Sequence, residues 1–283
     1  MRDNLGDRMK TFYERIPKTK LMRRCPVICR VDGRAFHTFA RNFRRPFDDV
    51  LIDTIQKTTR YLCENVQGCV LGYTQSDEIS LVLVDYKRLN SSSWFDYEVQ
   101  KMCSIIASMA TLAFNRIFEQ NVFEFDNFEP KNIEEHEYRY LVKKYYEAKD
   151  KGAMFDARVF NIPKEEVTNY IYWRQLDASR NSVQMVGRAN FSHKELQNKT
   201  NNDIQDMLMI QKGINWNDFP TYQKRGTCVV KNEIMLEKVS VTERCMLRNL
   251  GQNISSWIID KDIPVFKGEG REYIEQLIKA LEE

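Results

Sequence analysis

A chain of 283 residues, 42% hydrophobic and 29% charged, can bury a substantial core as one large domain or two small ones. No apolar run approaches the length of about eighteen residues that a membrane-spanning helix needs. The opening MRDNLGDRMK mixes charges with no apolar stretch behind it, which points to a cytoplasmic protein without a secretory leader. Seven scattered cysteines without a CxxC pair, beside only three histidines, argue against a Cys/His zinc site and for reduced thiols. The net charge of +3 is small, but its distribution is not even: residues 1–60 hold 15 Lys/Arg against 7 Asp/Glu. A basic N-terminal segment of this kind suits a polyanion such as a nucleoside triphosphate or RNA, and a solvated basic surface fits equally.

In chain order, a helix is predicted over 3–16, stopped by Pro17. PVICRVDGR (26–34) reads as a buried strand ending in an Asp-Gly turn. Asp48 or Asp49 can cap a helix over 50–65 whose buried face would be Val50, Ile52, Ile55, Thr59 and Leu62. CVLGY (69–73) and ISLVLV (79–84) are strands joined through Thr74–Glu78. A helix over 98–119 would bury Met102, Ile105, Ile106, Met109, Leu112, Ala113 and Ile117, and MFDARVF (154–160) is a further strand. Helices follow over 165–182 and 202–212, then an extended TCVVK (227–231) and a last helix near 271–282.

The order strand, helix, strand, strand, helix, strand is the split β-α-β unit of the ferredoxin-like fold. The expected class is therefore α+β: an antiparallel palm-like sheet with helices on one face, plus a helical C-terminal part. The expected divisions are a palm over 1–163 with an insertion at 120–152, a helical region over 164–231, and a C-terminal extension over 232–283.

In the sheet order 4-1-3-2, the first and third strands lie side by side and run in opposite directions. Asp32 leaves the first and Asp77 enters the third, so both emerge at one end, roughly 5 Å apart. Two carboxylates that close repel unless a cation lies between them, and magnesium commonly takes one or two carboxylates plus substrate phosphates. The pair thus suggests two-metal phosphoryl transfer, whereas each aspartate alone would be ordinary turn chemistry. Gly33 lets its backbone approach a metal or phosphate, and Arg34-Ala35-Phe36-His37 can present amides to phosphate oxygens. His37 could bond a phosphate or ribose, or be an ordinary polar histidine. Ser76 adds a hydroxyl beside Asp77, and Arg44, Arg45 and Lys101 are candidate phosphate clamps.

RVDGRAFHTF (30–39), GYTQSDEIS (72–80), FDARVF (155–160), WRQLDASRNS (173–182) and KGINWNDFPTYQKRGT (212–227) together resemble the tRNA-His guanylyltransferases. These enzymes extend RNA in the 3′-to-5′ direction. The resemblance implies a polymerase-type palm, a homotetramer, two Mg2+ ions, ATP and GTP as substrates, and tRNA as partner. By position it makes Asp32, Gly33 and Asp77 the metal ligands and Asp32, Asp77, Glu78 and Lys101 the catalytic set. It places nucleotide binding on residues 32–37, Arg45, Asp48, Ser76, Asp77 and Lys101, and Arg158 fits its Phe-Asp-x-Arg block.

Two departures stand out. Ser179-Arg180-Asn181-Ser182 replaces a His-Ile-Asn-Asn run, and Tyr97-Glu98 replaces an arginine pair. The block 179–193 resembles instead the guanylyltransferase-like branch of bacteria, archaea or phage, whose members repair 5′-truncated tRNA. Two other readings remain at this point: a palm-domain nucleotidyl cyclase, which pairs aspartates in the same way, and a non-catalytic RNA-binding protein stacking bases on Tyr170, Tyr172 and Trp173.

Overall fold

A computed structural model describes residues 4–127, 133–231 and 257–280. An exposed first helix, α1 (Asn4–Met9), continues as a turn of π-helix over Lys10–Glu14. The split unit then follows as β1 (Val27–Gly33), the short α2 (Phe36–Phe39), α3 (Asp49–Asn65), β2 (Cys69–Gln75), β3 (Glu78–Leu83), α4 (Val99–Asn127), α5 (Glu135–Lys151) and β4 (Phe155–Asn161). Beyond it come α6 (Val167–Asn190), α7 (His193–Leu196), α8 (Asn201–Lys212), α9 (Thr221–Arg225), β5 (Thr227–Lys231), β6 (Trp257–Asp260) and α10 (Glu272–Glu275).

Among the described residues the six strands β1 to β6 join one antiparallel sheet in the order β4-β1-β3-β2-β5-β6. Its first four strands have the predicted 4-1-3-2 arrangement. Val27, Ile28, Cys29 and Val31 have no exposed surface, because β1 is covered on both faces. That double burial is why the strand reads as an unbroken apolar run rather than an alternating one. β5 and β6 extend the sheet beyond β2 with chain from after residue 163.

One face of the sheet carries α3 and α4, and an aromatic cluster fills the space between. Phe114 and Phe118 of α4 stack on each other, Phe43 stacks on Phe118, and Phe36, Phe39 and Tyr145 meet the pair edge-on. The opposite face is covered by α6 and the C-terminal tail, with Ile28, Tyr73 and Val82 packed against Val167, Ile171, Phe266 and Ile274. Helices therefore lie on both faces, where the sequence suggested one. A third small core joins α6 to α8, where a Cβ at Gly187 would sit 2.8 Å from Ile204.

The buried faces of α3 and α4 differ from the predicted ones. On α3, Val50 and Ile52 are half-buried, while Thr54, Gln56, Thr58 and Cys63 join Ile55, Thr59 and Leu62 inside. The threonine hydroxyls donate to carbonyls one turn back, at 2.6–2.8 Å, and Gln56 donates to Thr227 at 2.9 Å. These bonds offset much of the cost of burying polar groups, although among the described residues the Gln56 Oε1 oxygen has no partner. On α4, Ile105 and Leu112 are exposed and the true seam is Met102, Ile106, Ala110, Ala113, Phe114 and Phe118. Both α4 and α6 also run past their predicted ends at 119 and 182, so the expected insertion begins inside α4.

The six described cysteines are free thiols. Among the described residues no helix is long and apolar enough to cross a membrane. Of the C-terminal extension, residues 232–256 and 281–283 lie outside the described ones.

Candidate active site

β1 and β3 pair so that Asp32 stands opposite Glu78, and Asp77 lies one step further, in the turn between β2 and β3. The Gly33 amide donates to the Asp77 carbonyl at 3.2 Å, which holds the two acidic residues at one sheet end. The turn is tight because Ser76 adopts a left-handed conformation (φ 53°), and its hydroxyl donates to Asp77 Oδ1 at 2.9 Å. A side chain at Gly33 would run into the Phe36 ring and come within 3.0 Å of the Asp77 Cβ. Only glycine lets the chain after Asp32 lie against Asp77.

Burial pushes the Asp77 carboxyl above its ordinary value, and the Asp32 charge adds to the push. The Ser76 bond and the charge of His37 act the other way. Asp32 keeps a third of its side chain exposed, with an Arg30 nitrogen 3.7 Å from Oδ2. Two carboxylates, a carbonyl-bearing glycine and an open side make a hard, oxygen-rich donor set of the kind magnesium takes. Among the described residues no group of three or more His, Cys, Asp or Glu converges on one point, so further ligands would have to be backbone, water or substrate oxygens.

Glu78 is placed differently. It is 5% exposed and binds Arg174 of α6 through both oxygens at 2.7 Å, with Arg30 2.7 Å from Oε2. Burial pushes its carboxyl up while the two guanidiniums pull it down. Arg174 also donates to Asp177 at 2.8 Å, and Asp177 accepts from Arg180 at 3.0 Å. This chain of charges lies on the sheet face that Asp32 shares, and it braces the strand pair rather than opening Glu78 to a ligand. Sequence reasoning gave Arg174 no role; its only signal was the Trp-Arg-Gln-x-Asp spacing itself.

The loop after Gly33 turns through Ala35, which is left-handed, into α2. The Arg34 amide is taken by the Met154 carbonyl at 2.8 Å, and the Phe36 side chain is core. The amides of Ala35, Phe36 and His37 begin the helix, where no carbonyl of an earlier turn is available to them. His37 is exposed, with Nε2 3.1 Å from the Thr38 hydroxyl.

Other predicted residues serve the scaffold. Asp48 caps α3, accepting from the Leu51 and Arg44 amides at 2.9 Å and from the Tyr145 hydroxyl at 2.6 Å. With both oxygens engaged and 5% exposure, it shapes the loop 41–47. Arg44 points to Glu137 of α5 at 3.8 Å. Arg158, on β4, sits 3.4 Å from Asp156.

Lys101 is not brought to the acidic pair. It lies on the first turn of α4 over the Phe95 ring, where the Val99 amide is held by Thr19 and the Tyr97 carbonyl by Leu21. That is the end of the sheet where β1 begins. α4 reaches the acidic end from Thr111 onward, where Thr111 accepts the Phe155 amide and Phe114 and Phe118 pack on Phe36 and Phe39.

A cavity of about 210 Å3 opens beside Ser76. Arg45, Pro46 and Phe47 form one side; Asn181 and Met185 of α6 and Tyr222 of α9 form the other.

A split β-α-β sheet with two aspartates closed onto one end defines a palm-type nucleotidyltransferase. The family profile described as tRNAHis guanylyltransferase matches residues 6–163. The chain belongs to the tRNA(His) guanylyltransferase family. A bacterial tRNA(His) guanylyltransferase (Thg1)-like protein, solved in complex with ATP, is 38% identical with a TM-score of 0.75, over 97% of this chain and 99% of its own. A second such structure, in complex with GTP, is 34% identical with a TM-score of 0.67 over the same shares. The probable tRNA(His) guanylyltransferase of Mus musculus is 26% identical over 74% of this chain and 66% of its own length. Membership of this family sets aside the cyclase and the non-catalytic RNA binder.

Proposed function

We propose that this enzyme adds nucleotides to the 5′ end of tRNA in the 3′-to-5′ direction, and that its task is templated repair of truncated ends. The observation that carries the reading is the Gly33–Asp77 hydrogen bond, which gathers Asp32 and Asp77 at one end of a palm sheet. The ATP and GTP complexes of its bacterial relatives support nucleoside triphosphates as its substrates.

In this reading Asp32, the Gly33 carbonyl and Asp77 hold Mg2+, which when bound neutralises phosphate charge and lowers the barrier to phosphoryl transfer. The first amides of α2, at Ala35 to His37, take triphosphate oxygens, as helix beginnings do. The cavity beside Ser76 takes the nucleoside, with Pro46, Phe47 and Tyr222 as apolar walls and Asn181 as a hydrogen-bonding group. The 3′-oxygen of the incoming nucleotide forms a bond to the activated 5′ phosphorus, the bond to AMP or pyrophosphate breaks, and the hydroxyl proton leaves to solvent. Glu78, clamped by Arg174 and Arg30, keeps β1 and β3 in the register that aligns these groups. The active form is a homotetramer located in the cytoplasm.

The test is incubation with Mg2+, labelled nucleotides and a tRNA lacking its first nucleotide, beside intact tRNA-His. Growth at the truncated 5′ end supports repair. Extension of tRNA-His alone restricts the enzyme to guanosine addition, and no extension of either RNA overturns the proposal.

A further inference from the structure

A second cavity, of about 490 Å3, lies on the far side of Arg45 from the nucleotide pocket, between the last turn of α6 and the loop before α8. Arg45 lines both. Around this second cavity stand Arg188, His193, Gln197 and Asn198, over a floor that includes Phe191. No carboxylate is in its lining. Arg188 and His193 are exposed, and among the described residues neither they nor Arg45 form an ion pair. The Arg45 guanidinium donates to the Arg41 carbonyl at 3.4 Å.

The acidic group nearest in sequence is taken out of play. Glu195 turns back to accept from the Ser192 hydroxyl at 2.6 Å and the Ser192 amide at 2.8 Å, which holds its charged form. Lys212 adds a further positive charge, 5.6 Å over the ring of Phe191. The scaffold beneath is fixed: Phe191 is 8% exposed, its amide bonds to Gly187, and Val186 and Ile204 pack below it. Three cationic or ionisable side chains around a rigid depression without a counter-charge make an anion site. Planar guanidiniums match phosphate geometry, and amide side chains suit phosphate and ribose hydroxyls.

We propose that this cavity binds a backbone phosphate of the RNA strand whose 5′ end is extended, with Arg45 standing between the nucleotide pocket and the RNA track. The proposal rests on the reading of the acidic pair as the place where that 5′ end reacts. The position of the cavity, one arginine away from the nucleotide pocket, suits the strand next to the reacting end rather than the incoming nucleotide. A free nucleoside triphosphate presents the same phosphate chemistry, so the experiment separates the two.

The probe is a 3′-labelled tRNA lacking its first nucleotide, titrated without nucleoside triphosphate at several salt concentrations. Arg188→Glu is expected to weaken RNA binding about tenfold near 0.1 M salt and to lower the slope of log affinity against log salt by about one. Arg188→Lys should keep most of the affinity, and His193→Ala should lose part of it. The KM for nucleoside triphosphate should not move. Unchanged RNA affinity and salt slope in Arg188→Glu would overturn the assignment, as would a raised KM for the triphosphate with RNA binding intact. Because the titration needs no turnover, wild-type protein that binds RNA but never extends it would count against the proposed reaction and leave the cavity assignment standing.

Discussion

Arg174 grips Glu78 through both carboxylate oxygens at 2.7 Å, and Glu78 stands opposite Asp32 in the neighbouring strand. A helix beyond the split unit thus braces the strand pair that carries the acidic site. Both partners are nearly free of solvent, so removing Arg174 leaves the buried Glu78 carboxylate with Arg30 as its remaining partner. Arg174→Ala should cost ~1.5–3 kcal/mol in denaturant unfolding. Arg174→Lys, with a point charge in place of a planar fork, should recover only part of it. An Arg174→Ala protein as stable as wild type would show that the pair does not brace the sheet.

Asp77→Asn and Asp32→Asn test the acidic pair itself. Each keeps the size of the side chain and removes a charge, so the fold should hold while magnesium-dependent nucleotide addition falls on the order of a thousandfold or more. Gel assays of 5′ extension check the rate and thermal melts check the fold. Retention of near wild-type activity in both variants would remove the chemical basis of the proposed reaction.

The raised carboxyl of Asp77 couples stability to both pH and magnesium. An acid that titrates higher when folded contributes stability that is full below the ordinary aspartate range, about pH 4, and is lost as the pH rises through its raised value. A divalent cation at Asp77 and Asp32 opposes that loss, because it binds the deprotonated form. Without magnesium the contribution of Asp77 should therefore fall with rising pH, and the melting shift produced by millimolar magnesium should grow over the same range. Melting curves of wild type and Asp77→Asn, with and without magnesium, give the comparison; a magnesium shift independent of pH would contradict it.

Gly33→Ala is a test of geometry without a change of charge. The added methyl meets the Phe36 ring and the Asp77 Cβ, neither of which is a flexible chain end. Overpacking of this kind costs ~1–3 kcal/mol. Activity should drop by more than the stability loss accounts for, since the strain falls on the turn that places Asp77. An activity loss that vanishes at a temperature where the variant is fully folded would argue against this.

The central sheet was legible because β1 and β3 are buried on both faces and read as apolar runs with turn residues at their ends. The convergence of Asp32 and Asp77 followed from strand order alone. The face of α3 was not legible: Thr54, Thr58 and Gln56 look like surface residues until the helix carbonyls are found to take the two hydroxyls and Thr227 the Gln56 amide nitrogen. The seam of α4 was misplaced because Ile105 and Leu112 are apolar yet exposed, while the small Ala110 and Ala113 lie inside. Lys101 matched a motif position, but motif spacing does not reveal which end of a helix meets the site. The Glu78–Arg174 clamp joins a strand to a helix far along the chain, and the Trp-Arg-Gln-x-Asp spacing marks Arg174 without naming its partner.

The tail over 257–280 was unreadable for a related reason: its partners are elsewhere. Gln175, beside Arg174, donates to the Pro264 carbonyl at 2.8 Å and accepts the Phe266 amide at 3.0 Å. Phe266, Ile274 and Ile278 then cover the sheet face over Tyr73 and Val82. During synthesis, a ribosome that has delivered everything through α6 has still not made the segment that shelters this greasy surface. Until those late residues emerge, the nascent palm carries an uncovered apolar face and lacks its outer strand β6.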